Sequence, residues 1–243
     1  MAKENVTNNA ALSGVGSMAT RRLLAGLVEQ YARETGQRLT VAATGGVQAE
    51  RRVRAGEAFD FAVLASAAID RLTAGRYLIG ARTDVVRSAM AAAVAAGAAR
   101  PDIGTEGALR ETMLRAARIG YSSGPSGGHL LALLERWGLA EAIGPRLVMA
   151  QPGVPVASLI AGGEVEIGFQ QLSELNEVPG VDVIGPLPVG AQLVSVFSAA
   201  ICAVSQRQRA AADFLAFLGS ERAEAAKRAF GMEPARGAAP TQQ

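Results

Sequence analysis

The stretch RLTVAATGGVQAERRVRAGEAFDFAVL, running from Arg38 to Leu64, decides the fold. In its opening residues Leu39, Val41 and Ala43 alternate with Arg38, Thr40 and Ala42, which is the period of a strand. Thr44-Gly45-Gly46 then turns the chain, and a helix is predicted over 47–55, stopped by Gly56. A second apolar run predicts another strand over 59–64. Strand, helix and strand in so short a span require parallel pairing through a right-handed crossover.

The same alternation extends in both directions. Upstream, Leu23, Leu24, Leu27, Val28 and Tyr31 fall on one face of a helix over 17–34 that Gly36 stops. Downstream, a helix over 67–74 precedes an Ala/Val stretch over 84–96 and Arg100-Pro101-Asp102-Ile103. A second run of units follows: a helix capped by Thr105, strand 119–121, helix 128–137 stopped by Gly138, strand 146–149, helix 154–161 stopped by Gly162, and strand 165–169. An apolar strand over 194–204 and helices over 209–218 and 221–230 close the chain, and the tail after Met232 is expected to fray. Connections at 82–88 and 187–195 bracket the middle of the chain. They predict a hinge with two crossings, one lobe made of 1–85 plus 194–243, a second of 86–193, and a ligand cleft between them.

Composition narrows the function. The chain has 243 residues, 49% hydrophobic and 19% charged, a globular balance. Its longest apolar run, 88–99, is well short of the roughly 20 residues that span a bilayer, so no membrane insertion is expected. Met1 to Asn9 contains no apolar run of the kind a leader needs; the chain as given reads as cytoplasmic, or periplasmic if a leader has been removed. Net charge is only +2 and the arginines are scattered, so nucleic acid is not an expected partner. The lone cysteine, Cys202, allows no internal disulfide and reads as a buried thiol, and with one histidine no metal-ligand spacing and no cofactor fingerprint is present.

Four segments read as Gly/Ser/Thr turns between a strand and a helix: 13–17, 44–47, 122–128 and 151–154. Each can offer free backbone N–H groups and a hydroxyl at the positive end of a helix, the usual way to hold a small anion. Any one of them could equally carry glycine for backbone geometry alone.

The βα order in two lobes, the phrase from Arg54 to Leu64 and Ser122-Ser123-Gly124-Pro125-Ser126-Gly127-Gly128 together resemble the type 2 periplasmic solute-binding proteins, in the molybdate-binding-like branch that also includes aconitate isomerase. The resemblance covers about 12–232. It implies an α/β fold with a parallel-rich sheet in each lobe, closing on an oxyanion held by hydroxyls and amides. Carried over by position, Ser17 matches the first-turn serine, Gly46 and Val47 the second turn, Ser126 to Gly128 the third, and Val154 the fourth. With their neighbours this gives as candidate ligand contacts Ser13, Gly16, Ser17, Thr44, Gly45, Gly46, Val47, Arg51, Ser123, Ser126, Gly127, Gly128, His129, Val154, Gln170 and Gln171. Gly46-Val47 stands where the molybdate binders have a serine, and Gln170 where they have a tyrosine. Both departures favour an organic carboxylate over molybdate.

Two functions follow from different demands. A receptor for a small anionic solute needs only reversible closure, with an ABC transporter permease as partner if the chain is exported. An isomerase of small polycarboxylates needs a proton-transfer group, for which His129 and Ser17 are the candidates. Glu174 reads as a helix N-terminal charge.

Overall fold

The computed structural model describes residues 11–151, 153–176 and 178–235. Met1 to Asn9, on which the expected location rests, lies outside the described residues, as do those after 235.

The elements run β1 (Leu12–Ser17), a 3-10 turn (Met18–Thr20), α1 (Arg21–Thr35), β2 (Leu39–Thr44), α2 (Gly46–Arg54), β3 (Phe61–Ala65), α3 (Ser66–Ala74) and β4 (Leu78–Ala95). Then follow α4 (Glu106–Arg115), β5 (Ile119–Tyr121), α5 (Pro125–Arg136), α6 (Ala140–Ile143), β6 (Leu147–Met149), α7 (Val156–Ala161), β7 (Ile167–Gln171), α8 (Leu172–Leu175) and β8 (Val181–Pro186). The last elements are β9 (Val194–Cys202), α9 (Gln208–Gly219), α10 (Glu224–Ala229) and β10 (Glu233–Pro234).

Local chemistry explains several boundaries. Gly36 ends α1 in the left-handed region at φ 75°, donating to the Ala32 carbonyl. Thr105 caps α4, its hydroxyl accepting from Ala108 N–H at 3.1 Å. No helix among the described residues is long and apolar enough to cross a membrane.

The fold is two-lobed and mixed α/β. β1, β2 and β3 pair in parallel in one lobe, and β5, β6 and β7 in the other. Residues 82–88, expected as a connection, lie with most of the Ala/Val stretch inside β4, which belongs to both sheets. Residues 78–89 of β4 pair with β9 and, at Val86 and Arg87, with β10; residues 90–95 pair with β7 and β8. All these β4 pairings are antiparallel, so antiparallel strands supplement the parallel sets. Small residues suit a strand buried on both faces: Met90, Ala92 and Val94 pack to one side, Ala91 and Ala93 to the other. The second crossing lies beside the first, Met90 N–H donating to Leu193 O and Leu187 N–H to Met90 O. Together they form the two-crossing hinge.

In the first lobe, α1 and α9 cover one face of the sheet through Leu23, Leu27, Tyr31 and Phe214, and α2 and α3 cover the other through Val53, Ile69 and Leu72. Buried Asp60 ties the returning chain to this lobe. It accepts from Ser13 N–H, the Ser205 hydroxyl and Arg207 at 2.7–2.8 Å, the pairing a buried charge requires. Burial pushes the Cys202 thiol up to about 12. The tail expected to fray after Met232 begins instead with Glu233–Pro234, which add β10 beside β4 next to the buried Met232 side chain, and its residues after 235 lie outside the described residues.

Candidate functional site

A cavity of about 800 Å³ lies between the lobes, at the C-terminal ends of the parallel strands. Ser17 to Ala19, the starts of α2, α3 and α5, the 153–155 turn and the β7–α8 junction line it, with Ser195 to Phe197 of β9 as a wall.

The helix starts carry the electrostatics. Gly45, Ala65 and Gly124 occupy the N-cap positions of α2, α3 and α5; none makes a side-chain capping bond, and none of these helices has an acidic residue in its first turn. By contrast α4, which begins away from the cavity, has both its Thr105 cap and Glu106. The cavity-facing ends therefore keep orphan N–H groups and an uncompensated positive dipole. Hydroxyls stand among them: Ser122 and Ser126 are 2.9 Å apart, Ser17 and Thr20 3.3 Å, and Ser66 and Ser198 2.7 Å.

Three guanidinium groups line the cavity. Arg71 is held by Glu50 at 2.7 Å, and Arg82 by Asp70 and Asp84. The Arg51 guanidinium has no hydrogen bond or ion pair among the described residues, while the Arg51 carbonyl accepts from Ala55 N–H at the end of α2.

At the β7–α8 junction a relay of fixed groups reaches the cavity. Val156 N–H donates to Gln170 Oε1 at 2.7 Å, and Gln170 Nε2 donates to Glu174 Oε1 at 2.7 Å. Burial pushes the Glu174 carboxyl up to about 7, with the Gln170 bond offsetting part of the rise. Gln171 donates to Ser195 Oγ at 2.8 Å, while its Oε1 is buried with no donor among the described residues. His129 lines the cavity with Nε2 at 2.9 Å from the Ala191 carbonyl, so that nitrogen donates and Nδ1 is the atom left over.

Of the sequence candidates, Ser17, Gly45, Gly46, Val47, Arg51, Ser123, Ser126, His129, Val154, Gln170 and Gln171 meet at this cavity. Five do not. Residues 13–17 form strand β1 rather than a turn, and Ser13 sits at its far end on Asp60. A Cβ on Gly14 would lie 2.3 Å from the Phe61 ring and one on Gly16 2.8 Å from Leu24 Cδ1, so these glycines admit neighbours onto the strand. Thr44 is spent in the β2 ladder opposite Ser17. A Cβ on Gly127 would strike the Ser122 carbonyl, which makes it a packing glycine, and Gly128 faces open space away from the lining. Sequence reasoning missed Ser66 and Glu174. The strand end Leu64-Ala65 followed by a helix signalled Ser66; nothing local signalled the burial of Glu174.

The lobes approach closely at two places. A Cβ on Gly45 would lie 3.9 Å from Gly153 N, and Arg22 of α1 donates to the Asn176 carbonyl beyond α8 at 2.8 Å.

Two α/β lobes joined by two crossings, with helix starts aimed into the cleft, define a type 2 solute-binding fold. The chain belongs to the bacterial extracellular solute-binding protein family, whose model matches residues 12–233. It is 35% identical to an aconitate isomerase from Pseudomonas sp. over 241 residues, 96% of this chain and 90% of that protein. In fold it is similar to the periplasmic molybdate-binding protein of Azotobacter vinelandii, with a TM-score of 0.77 at 18% identity over 93% of this chain and 100% of the other. It is also similar to Peb3 from Campylobacter jejuni, with a TM-score of 0.68 at 13% identity over 91% and 99%.

Proposed function

We propose that residues 1–85 plus 194–243 and residues 86–193 act as lobes that close on a small polycarboxylate, and that the protein isomerises it by moving a proton and a double bond. The observation that carries the ligand class is the set of uncapped, acid-free helix starts facing one cavity beside Arg51, whose guanidinium has no partner among the described residues. Such a site suits several carboxylates held apart around a carbon frame. Gln170 is already committed to Val156 and Glu174 rather than turned to a compact inorganic dianion. An organic acid is therefore favoured over molybdate. The reaction comes from the likeness to aconitate isomerase, which spans nearly the whole of both chains.

A second reading, a receptor that delivers its solute to an ABC transporter permease, is favoured by the family's description, which also favours an exported location over the cytoplasmic one. Calorimetry with cis-aconitate, trans-aconitate, a dicarboxylate and molybdate tests the ligand class. Tricarboxylates are expected to bind at least tenfold more tightly than molybdate, and the reverse order refutes the assignment.

A further inference from the structure

We infer that Glu174 is the proton carrier of the isomerisation and that Gln170 is its positioning residue, an assignment that rests on the isomerase reading. The geometry separates the candidates. His129 has Nε2 on the Ala191 carbonyl of the second crossing, which ties that imidazole to the hinge. The Ser17 hydroxyl stands by Thr20, and no base accepts its proton among the described residues. Glu174 lines the cavity with Oε1 fixed by Gln170 at 2.7 Å, which leaves Oε2 for substrate. Gln170 is itself 3% exposed, and the Val156 N–H holds its carbonyl, so its amide group must face Glu174.

The surroundings also suit proton exchange near neutrality. β4, α7, β7, β8 and the 18–20 turn pack on α8. Their charged residues are Arg82, Asp84 and Arg87 on β4 and Asp182 on β8. Arg82 pairs with Asp84 and Asp182 with Arg100, while Arg22 is turned to the Asn176 carbonyl. The carboxyl is moved by burial first and by Gln170 second, which leaves it titrating where a base and an acid are both available.

In the step itself, Glu174 Oε2 takes a proton from the methylene carbon beside the double bond of the bound alkene polycarboxylate. The C–H pair becomes the new C=C bond, the old π pair moves to the far carbon, and the neutral carboxyl returns the proton there. Nothing is oxidised or reduced, and no co-reactant is needed. The helix starts and Arg51 stabilise the charge that spreads onto the substrate carboxylates between the two transfers.

The test follows cis-aconitate by NMR in deuterium oxide with wild type, Glu174→Gln, Glu174→Asp, Gln170→Leu and His129→Gln, with calorimetry of binding alongside. Glu174→Gln is expected to lower isomerisation and isotope exchange at least 100-fold with affinity within about threefold, and Glu174→Asp to keep measurable turnover. Gln170→Leu is expected to move the acid limb of the kcat/KM profile to higher pH, because it removes the bond that favours the carboxylate. Exchange retained in Glu174→Gln, above all with loss in His129→Gln, overturns the assignment and leaves the isomerase reading standing. An unmoved acid limb in Gln170→Leu overturns the positioning role. No exchange in wild type that binds cis-aconitate overturns both this assignment and the isomerase reading.

Discussion

Glu174 makes the stability of the protein depend on pH in a direction opposite to that of most carboxylates. Its carboxyl is raised from 4.5 to about 7 by burial, so the folded state holds the proton more tightly than the unfolded chain does. The resulting stabilisation is complete below pH 4.5 and is lost as pH rises through about 7. At 1.36 kcal/mol for each pH unit, this shift amounts to about 3 kcal/mol between the two limits. Glu174→Gln keeps the shape and can still accept from Gln170, but it carries no charge to desolvate. The variant is therefore expected to match wild type at pH 4 and to exceed it at pH 8, by roughly 6–12 °C in Tm for a protein of this size. Thermal unfolding of both proteins across that range checks this, because every other titrating group cancels in the difference. Parallel curves, offset by a constant or not at all, would show that Glu174 titrates as an ordinary carboxylate.

Arg51→Gln is expected to weaken tricarboxylate binding about 10- to 100-fold in calorimetry, the worth of a charge-assisted contact, with Tm unchanged because the Arg51 guanidinium has no partner among the described residues. Arg71→Gln, which loses only a half-exposed pair with Glu50, is expected to change stability by less than about 1 kcal/mol. Gly45→Val is expected to hold the lobes apart: φ −56° and ψ 138° suit any residue, so folding is preserved, but its methyl groups would meet the Gly153 backbone. Small-angle scattering with saturating cis-aconitate reads this as a larger radius of gyration than wild type, with affinity at least tenfold lower.

The parts of the fold legible in the sequence are those decided within a few residues. β5 is legible to the residue because Ile119 to Tyr121 is a short apolar run between two helical patterns, and Gly36 and Gly138 mark helix ends through their left-handed backbones. Contacts between distant residues defeated the rest. Gly14 and Gly16 read as a turn, yet they are bare because Phe61 and Leu24 press on that strand. The alanines of β4 fit helix, linker or strand equally, and only burial on both faces chooses the strand. In the site, spacing put arginines near the cleft but could not show that Glu50 and Asp70 neutralise Arg71 and Arg82 and leave Arg51. Glu174 looked like a helix-start charge because its burial is made by elements far from it in sequence.

Proton NMR of cis-aconitate in deuterium oxide with the wild-type protein reads catalytic turnover in the cleft. Trans-aconitate signals are expected to grow together with deuterium entering the methylene position, at a rate proportional to protein concentration. A sample in which cis-aconitate is bound by calorimetry yet keeps both its isomer and its protons would contradict turnover, and would leave the protein a receptor.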